Sequence, residues 1–322
     1  MPRSMFDLIR LHTAPLNITD YVGEILPGFR ELYGPDAAEY YALAASSAIS
    51  TTIGRPEVFA FGCKSGSVVS AILLAKQDNT RTTISFLHVL EPYRSLGTGD
   101  ALLAFALDSL ETHGEIFTEF VPFHPMDFGP VFERFGFKKI ERQLMRSPTG
   151  TIAPAYPSGF EFTHPSHSDL GALAAVLTET YVGHPERFLF PEVHSELKAL
   201  DYLSRASAGH FGQLQPDYTV AVWKDGQCAG FGVGCQVLPG LGFVLHLAVW
   251  PAFQRRGIGT GLLLSLSAAF AREGLDYIAL GVTCDNPAVK LYNRAGFSAK
   301  TQIPVYYRAT GALEFASPSD SR

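Results

Sequence analysis

The segment VWPAFQRRGIGTG, residues 249–261, decides the fold of this chain. It follows an apolar run, residues 243–249, that is typical of a buried strand. After it, apolar residues continue at helical spacing to about residue 273. Between the two, Gly257 and Gly259 allow the backbone to adopt positive φ and to approach a ligand closely. The segment therefore predicts a strand, a glycine-containing loop and a helix in direct succession.

This succession is typical of a phosphate-binding site. The first amides of a helix have no intrahelical acceptor, and the helix dipole adds partial positive charge there. Arg255 and Arg256 come just before the helix and can form charge-assisted contacts with phosphate oxygens. The glycine pair alone remains a weak signal, because many strand–loop–helix connections bind nothing.

The same pattern occurs a second time in the chain, 160 positions earlier. The shared loop positions are Arg94, Gly97 and Gly99 in the first half, and Gln254, Gly257 and Gly259 in the second. VFERFGF at residues 131–137 aligns with LYNRAGF at residues 291–297 at the same offset. We therefore expect an N-terminal domain at residues 1–150, a Pro/Gly-rich linker at 151–158, a C-terminal domain at 159–310 and a tail at 311–322.

Hydrophobic periodicity predicts an α/β architecture in both halves. In the second half, strands are expected at residues 159–164, 218–223, 227–237, 243–249, 277–282 and 305–308. Helices are expected there at residues 168–181, 192–206, 257–273 and 287–295. The first half repeats this order from about Val58, with strands near residues 58–61, 68–75 and 84–89 and a helix at 98–110.

Composition excludes several classes of function. The net charge is −6 and the sequence has no basic tract, which disfavours nucleic acid or an anionic membrane as a partner. The four cysteines form no CxxC pair and are expected to be reduced thiols. His164 and His167 have metal-compatible spacing but no third ligand nearby, so no metal is expected. With neither a secretory leader nor a long apolar segment, we expect a cytoplasmic protein.

Two motifs together resemble the GNAT family of N-acetyltransferases. Gln254-x-x-Gly257-x-Gly259 is similar to the acetyl-CoA signature of that family, and Val249-x-Pro251 is similar to its usual lead-in. Downstream, DNPAVKLYNRAGF at residues 285–297 resembles its second signature, N-x-x-A-x-x-L-Y-x-x-x-G-F. Asn286 precedes Tyr292 by six residues, where the family usually has seven. Either Asp285 or Asn286 can therefore stand at the position of the asparagine.

The resemblance implies a tandem GNAT protein in which each domain is a splayed mixed β-sheet flanked by helices. It implies acetyl-CoA as co-substrate, with the pantetheine arm between two parting strands. The backbone of Leu247 and Val249 would pair with that arm. The loop signature around Gln254 and the amides from Arg255 to Thr260 would hold the pyrophosphate. Asn286 is a further candidate contact.

The reaction implied is direct transfer of an acetyl group to an amine, which must lose a proton while the CoA thiolate gains one. Tyr292 matches the family tyrosine and is expected to protonate the sulfur or to position it; the alternative is a packed aromatic residue. His246 is the nearest titratable residue on the strand and is a candidate base. Strand alternation favours a buried, hydrogen-bonded histidine instead. Glutamates and waters on the acceptor side remain open as the base.

The first half has Phe132 where the second has Tyr292. Its loop, with Arg94, Gly97 and Gly99, is a possible second CoA site in a domain that we expect to be non-catalytic. Two other functions stay open: a non-catalytic acyl-CoA sensor, and a transferase that uses another acyl donor. The acceptor can be a small amine, a peptide N-terminus or a lysine side chain, and the sequence does not indicate an oligomeric state.

Overall fold

A computed structural model of the chain describes residues 6–78, 81–110, 114–118, 127–151 and 156–310. These residues form two compact units. The first contains the described residues up to Gln143 together with those from Thr301 onward, and the second spans Leu144–Lys300.

The first unit is a seven-stranded mixed sheet in the order β1-β2-β3-β4-β5-β14-β6. Its strands are β1 (Asp7–Leu11), β2 (Val58–Ser65), β3 (Val68–Gln77), β4 (Arg81–Val89), β5 (Gly114–Thr118), β6 (Lys138–Ile140) and β14 (Val305–Thr310). Its helices are α1 (Ile18–Tyr33), α2 (Pro35–Thr52), α3 (Thr98–Ser109) and α4 (Gly129–Arg134).

The second unit is also a seven-stranded mixed sheet, in the order β13-β7-β12-β11-β10-β9-β8. Its strands are β7 (Arg142–Pro148), β8 (Glu161–Thr163), β9 (Thr219–Lys224), β10 (Gln227–Leu238), β11 (Leu241–Val249), β12 (Tyr277–Thr283) and β13 (Ser298–Gln302). Its helices are α5 (Leu170–Thr180), α6 (Glu196–Ser207), α7 (Ile258–Arg272) and α8 (Val289–Arg294). Both units have the mixed sheet and flanking helices expected from the sequence.

The last strand of each repeat lies in the sheet of the other repeat. β14 pairs with β5, where Tyr307 is opposite Phe117, and with β6, where Val305 is opposite Ile140. β7 occupies the corresponding position between β12 and β13. The expected closing strand of the second domain, residues 305–308, is therefore part of the first unit.

The structural units divide at Gln143/Leu144 and again at Lys300/Thr301, whereas the sequence repeat places the domain boundaries at residues 150 and 159. A repeat in the sequence gives the order of the elements. It does not say which of two equivalent strands enters which sheet, since that choice depends on pairing between distant residues. The expected linker falls largely on residues 152–155, which lie outside the described residues.

In the second unit, two neighbouring parallel strands separate partway along their length. β11 pairs with β12 only from Leu241 to Phe243, opposite Tyr277 to Ala279, although β11 continues to Val249. A register shift between Val233 and Gly234 marks an irregularity in the pairing of β10 with β11 near this point. A bulge bends and twists a strand. The resulting gap confirms the splayed sheet.

Helices cover both faces of the second sheet. α7 packs its buried Leu262, Leu266 and Phe270 against one face, in a cluster that includes Val244. α5 and α6 pack against the other face, in a cluster that includes Ala248. Adjacent residues of a strand point to opposite faces, and β11 accordingly contributes Leu247 to the first cluster and Ala248 to the second.

Several element boundaries differ from the predicted ones. The helix expected at residues 192–206 begins at Glu196, because the Ser195 side chain accepts a hydrogen bond from Lys198 N at 3.3 Å and caps it. The first repeat begins with β1, α1 and α2, well before the expected start at Val58. No disulfide joins the four cysteines. Within the described ranges, no helix is long and apolar enough to cross a membrane.

The exchange of β7 and β14 between the two sheets predicts which unit is destabilised when the C-terminal strand, β14, is removed. We expect a chain truncated after Gln302 to lose hydrogen-exchange protection in β5, because β14 is the neighbour of that strand. The fluorescence transition of Trp223 and Trp250, both in the second unit, should persist. Truncation after Thr310 is the matched control and should leave β5 protected. Equal protection of β5 in both truncated chains would contradict the assignment of β14.

Candidate functional site

The glycine loop lies at the end of β11, beside the gap. Gly257 has φ +85°, in the left-handed region, and is followed at once by α7. No side chain caps this helix start, which leaves the first-turn amides, those of Ile258, Gly259 and Thr260, directed out of the helix. This is the arrangement expected for an anion site.

Gly259 brings the two sequence motifs together. A Cβ at this position would lie 3.2 Å from Leu291 Cδ1, so glycine lets α7 and α8 approach closely. Arg255 is one of two described non-glycine residues with positive φ, at +59°. The Arg255 and Arg256 side chains are both exposed, and among the described residues neither forms an ion pair. Both guanidinium groups are therefore available to an anion at the loop.

Gln254 braces the loop. Its Nε2 donates to the carbonyl of Val249 at 3.1 Å, which ties the turn back to the end of β11. The first unit has the same contact at the same repeat position, where Arg94 Nε donates to Val89 O at 3.0 Å. A direct contact of the Gln254 side chain with the cofactor remains a prediction.

The backbone of β11 presents polar groups to the gap. Trp250 N–H donates to Ala229 O on β10 at 2.9 Å. Because backbone groups alternate in direction along a strand, those of Val249 and Leu247 point away from β10, toward the gap. The Val249 carbonyl accepts from Gln254 and from Thr180 Oγ1 at 3.3 Å. Leu247 is therefore the residue best placed to pair with an extended ligand.

Tyr292 lies on α8 and packs into the cluster beneath α7, with its ring centroid 6.1 Å from that of Phe297. Burial raises the pKa of Tyr292 to about 12, and the nearby charge of Glu186 adds to this effect. Within the described part of the chain, no hydrogen bond engages the Tyr292 hydroxyl. The phenol is therefore a protonated donor across the physiological pH range.

Asn286 and Glu186 form a pair that the sequence analysis did not identify. Asn286 Nδ2 donates to Glu186 Oε1 at 3.0 Å, and Asn286 Oδ1 accepts from Ala288 N at 2.8 Å. The amide therefore holds the turn before α8 and a buried carboxylate, rather than pointing unengaged at a cofactor. Its predicted cofactor contact remains untested. Glu186 could not be identified from local pattern because it lies 100 residues from its partner.

His246 is buried, 6% exposed, and its Nε2 lies 3.0 Å from Glu192 Oε1. The rings of Tyr181, Phe190 and Tyr202 surround it at centroid distances of 6.3, 5.7 and 5.1 Å. These aromatic residues belong to the cluster on the α5 and α6 face, whereas Tyr292 belongs to the cluster on the α7 face. The contact with Glu192 and the surrounding rings are those of the buried, hydrogen-bonded histidine that strand alternation favours, and a role for His246 as base stays a prediction.

The loop of the first unit repeats the backbone geometry but engages its arginine. Gly97 has φ +76° and precedes α3, whose Gly99 is buried. The Arg94 guanidinium forms an ion pair with Glu24, which also contacts His88 Nε2 at 2.8 Å. Although burial acts to raise it, these partners and the Glu91 amide lower the pKa of Glu24 below its ordinary value.

The position equivalent to Tyr292 is closed by apolar packing in the first unit. Phe132 is buried, and Tyr306 of the exchanged strand β14 stacks on it with ring centroids 4.9 Å apart. The first unit therefore keeps the backbone shape of the loop, with Arg94 in an ion pair and a phenylalanine at the position of Tyr292.

Comparison with known proteins gives a consistent result for both units. A model described as the acetyltransferase (GNAT) family matches residues 180–297, and a second, described as acetyltransferase (GNAT) domain, matches residues 31–147. Comparison with curated proteins gave no match.

Solved structures resemble the chain over nearly its whole length. A GCN5-related N-acetyltransferase from Sphaerobacter thermophilus has a TM-score of 0.70 at 16% identity, covering 94% of this chain and 95% of that chain. A tandem GNAT protein from the clavulanic acid biosynthesis pathway has a TM-score of 0.62 at 16% identity, covering 95% and 99%. A GNAT-family acetyltransferase from Colwellia psychrerythraea has a TM-score of 0.56 at 14% identity, covering 95% and 100%. At these identities the likeness shows the fold.

The left-handed backbone at Gly257 predicts a stability difference between two glycines. Gly257→Ala should lower the free energy of unfolding of the second unit by about 1–2 kcal/mol, because a Cβ is disfavoured at positive φ. Gly171→Ala, in α5 where no atom lies within 4 Å of a new Cβ, is the matched control and should stabilise by about 0.5–1 kcal/mol. Urea unfolding followed by tryptophan fluorescence measures both. Equal changes in the free energy of unfolding for the two variants would contradict the positive φ at Gly257.

Proposed function

Because the chain belongs to the GNAT acetyltransferase family, with two such domains in tandem, we propose that its second domain transfers an acetyl group from acetyl-CoA to an amine. The observation that best supports this is the gap between β11 and β12, which ends at the uncapped start of α7. An extended arm with a diphosphate at one end fits a gap of this kind. The first domain acts as a non-catalytic partner.

The binding roles follow from the groups at the gap. The amides of Ile258, Gly259 and Thr260 hold the diphosphate, with Arg255 and Arg256 adding positive charge. The backbone of Leu247 pairs with the amide groups of the arm. When bound, acetyl-CoA supplies the thioester carbonyl that the amine attacks, and CoA is the leaving group.

Tyr292 acts by hydrogen bonding to the sulfur as negative charge develops there. With a pKa near 12, the phenol keeps its proton at neutral pH. Complete transfer to a thiolate, whose conjugate acid has a pKa of about 8.5, is then unfavourable. A hydrogen bond that strengthens with charge is the role that this pKa permits.

The first test is binding stoichiometry. We expect calorimetry with acetyl-CoA to give one site per chain, because Arg94 is held by Glu24 whereas Arg256 is exposed. Arg256→Ala should weaken binding about tenfold or more, as loss of a charge-assisted contact requires. Arg94→Ala is the control and should leave the affinity within about twofold. Binding that survives Arg256→Ala but is lost in Arg94→Ala would place the site in the first domain.

The second test is turnover. Thiol release from acetyl-CoA should be measured with glucosamine, spermidine and a lysine-containing peptide with a free N-terminus. Tyr292→Phe should lower kcat by about 10–100-fold, the value of one hydrogen bond to a developing charge, with little change in KM for acetyl-CoA. Tyr277→Phe, which removes a hydroxyl at the far end of β12, is the control and should leave kcat unchanged. Equal kcat in both variants would remove Tyr292 from the mechanism.

A further inference from the structure

The segment that follows α5 crosses the open end of the gap. At its start, Thr180 Oγ1 donates to Val249 O, at the end of β11. At its end, Glu186 Oε1 accepts from Asn286, just beyond the end of β12. Residues 180–186 therefore span the two parted strands at their carboxyl ends. Glu186 also lies near enough to Tyr292 for its charge to act on that hydroxyl.

The surroundings of Glu186 are unusual for a carboxylate. The residue is 9% exposed. Its one side-chain hydrogen bond comes from the neutral amide of Asn286, and within the described ranges no Lys, Arg or His side chain forms an ion pair with it. The titratable groups beside it are Tyr292 on α8 and His184 on its own segment, whose Nδ1 accepts from Glu186 N at 3.1 Å.

Burying a carboxylate without a nearby cation lowers the stability of the fold, because the charge loses its hydration, unless a ligand supplies the opposite charge. An amine acceptor arrives protonated at neutral pH and carries that charge. It must also lose a proton before its nitrogen can attack a carbonyl. A carboxylate at the mouth of the gap can both bind the ammonium group and accept its proton.

We propose that Glu186 binds the ammonium group of a cationic acceptor and removes its proton before attack, an inference that rests on the proposed acetyl transfer. Glu186 is then a further catalytic residue, and the acceptor class is a primary aliphatic amine that is charged at pH 7. His246 is less suited to this role, because it is enclosed with Glu192 among three aromatic rings.

The step balances in atoms and charge. The Glu186 carboxylate takes one proton from the ammonium and passes it to solvent. The nitrogen lone pair forms the new C–N bond, and the C–S bond breaks with its electron pair on sulfur. The nitrogen gives up a second proton as the amide forms. The departing sulfur, held by the Tyr292 hydroxyl, takes up one proton to give the CoA thiol.

The experiment compares Glu186→Gln with the wild type across pH 6 to 10, using the best acceptor among glucosamine, spermidine and the peptide. We expect kcat/KM to fall about 100-fold or more at pH 7, the usual contribution of a general base. The ratio of wild-type to variant kcat/KM should fall about tenfold per pH unit, because the fraction of acceptor present as the free amine in solution rises with pH. Glu186→Asp should recover part of the activity. Acetyl-CoA affinity by calorimetry should stay within about twofold.

Glu179→Gln is the matched control, since it makes the same charge change at an exposed position of α5. It should leave kcat/KM and its pH profile unchanged. Wild-type activity in Glu186→Gln would overturn the inference while leaving the proposed acetyl transfer intact. Loss of acetyl-CoA binding in that variant, or a deficit that is constant with pH, would show a structural role and overturn it as well. A wild type that neither binds acetyl-CoA nor releases thiol would refute the proposed function itself.

Discussion

The second unit depends on a limited pairing between two strands. β11 and β12 hydrogen-bond as parallel neighbours from Leu241 to Phe243 and then part. Parting exposes backbone groups that a continuous sheet would satisfy, and such groups need other partners. Gln254 and Thr180 supply side-chain donors to the Val249 carbonyl, while Leu247 faces the gap. The opening is thus built into the fold and braced at its end.

The exchange of β7 and β14 gives each sheet a strand from the other half of the chain. β14 lies between β5 and β6, in the interior of its sheet, so the first unit is incomplete without residues that follow the second in sequence. The first unit therefore needs both ends of the described chain, whereas the second spans the continuous stretch Leu144–Lys300.

The two units differ in the contacts made by the arginines of their glycine loops. In the first, Arg94 is neutralised by Glu24, and Phe132 is covered by the stacked ring of Tyr306. In the second, Gln254 makes the hydrogen bond to the strand end, donating to Val249 O. Arg255 and Arg256 are exposed beside the start of α7. The same backbone therefore carries an arginine engaged in an ion pair in one copy and two exposed arginines in the other.

Local sequence determined the strand–loop–helix at residues 249–261, the positive φ of Gly257, the repeat at an offset of 160 and the α/β class. The local features depend on neighbours in the chain, so periodicity and glycine placement were sufficient to predict them, and the repeat is visible by comparing the two halves of the sequence. Tertiary structure alone decided the exchange of β7 and β14, the enclosure of His246 with Glu192 and the pairing of Glu186 with Asn286. Those features join residues 54 to 100 or more positions apart, as the His246–Glu192 and Asn286–Glu186 contacts show. These features are stabilised by burial and by pairing between distant strands. The order of residues along the chain does not specify which distant residue becomes the partner.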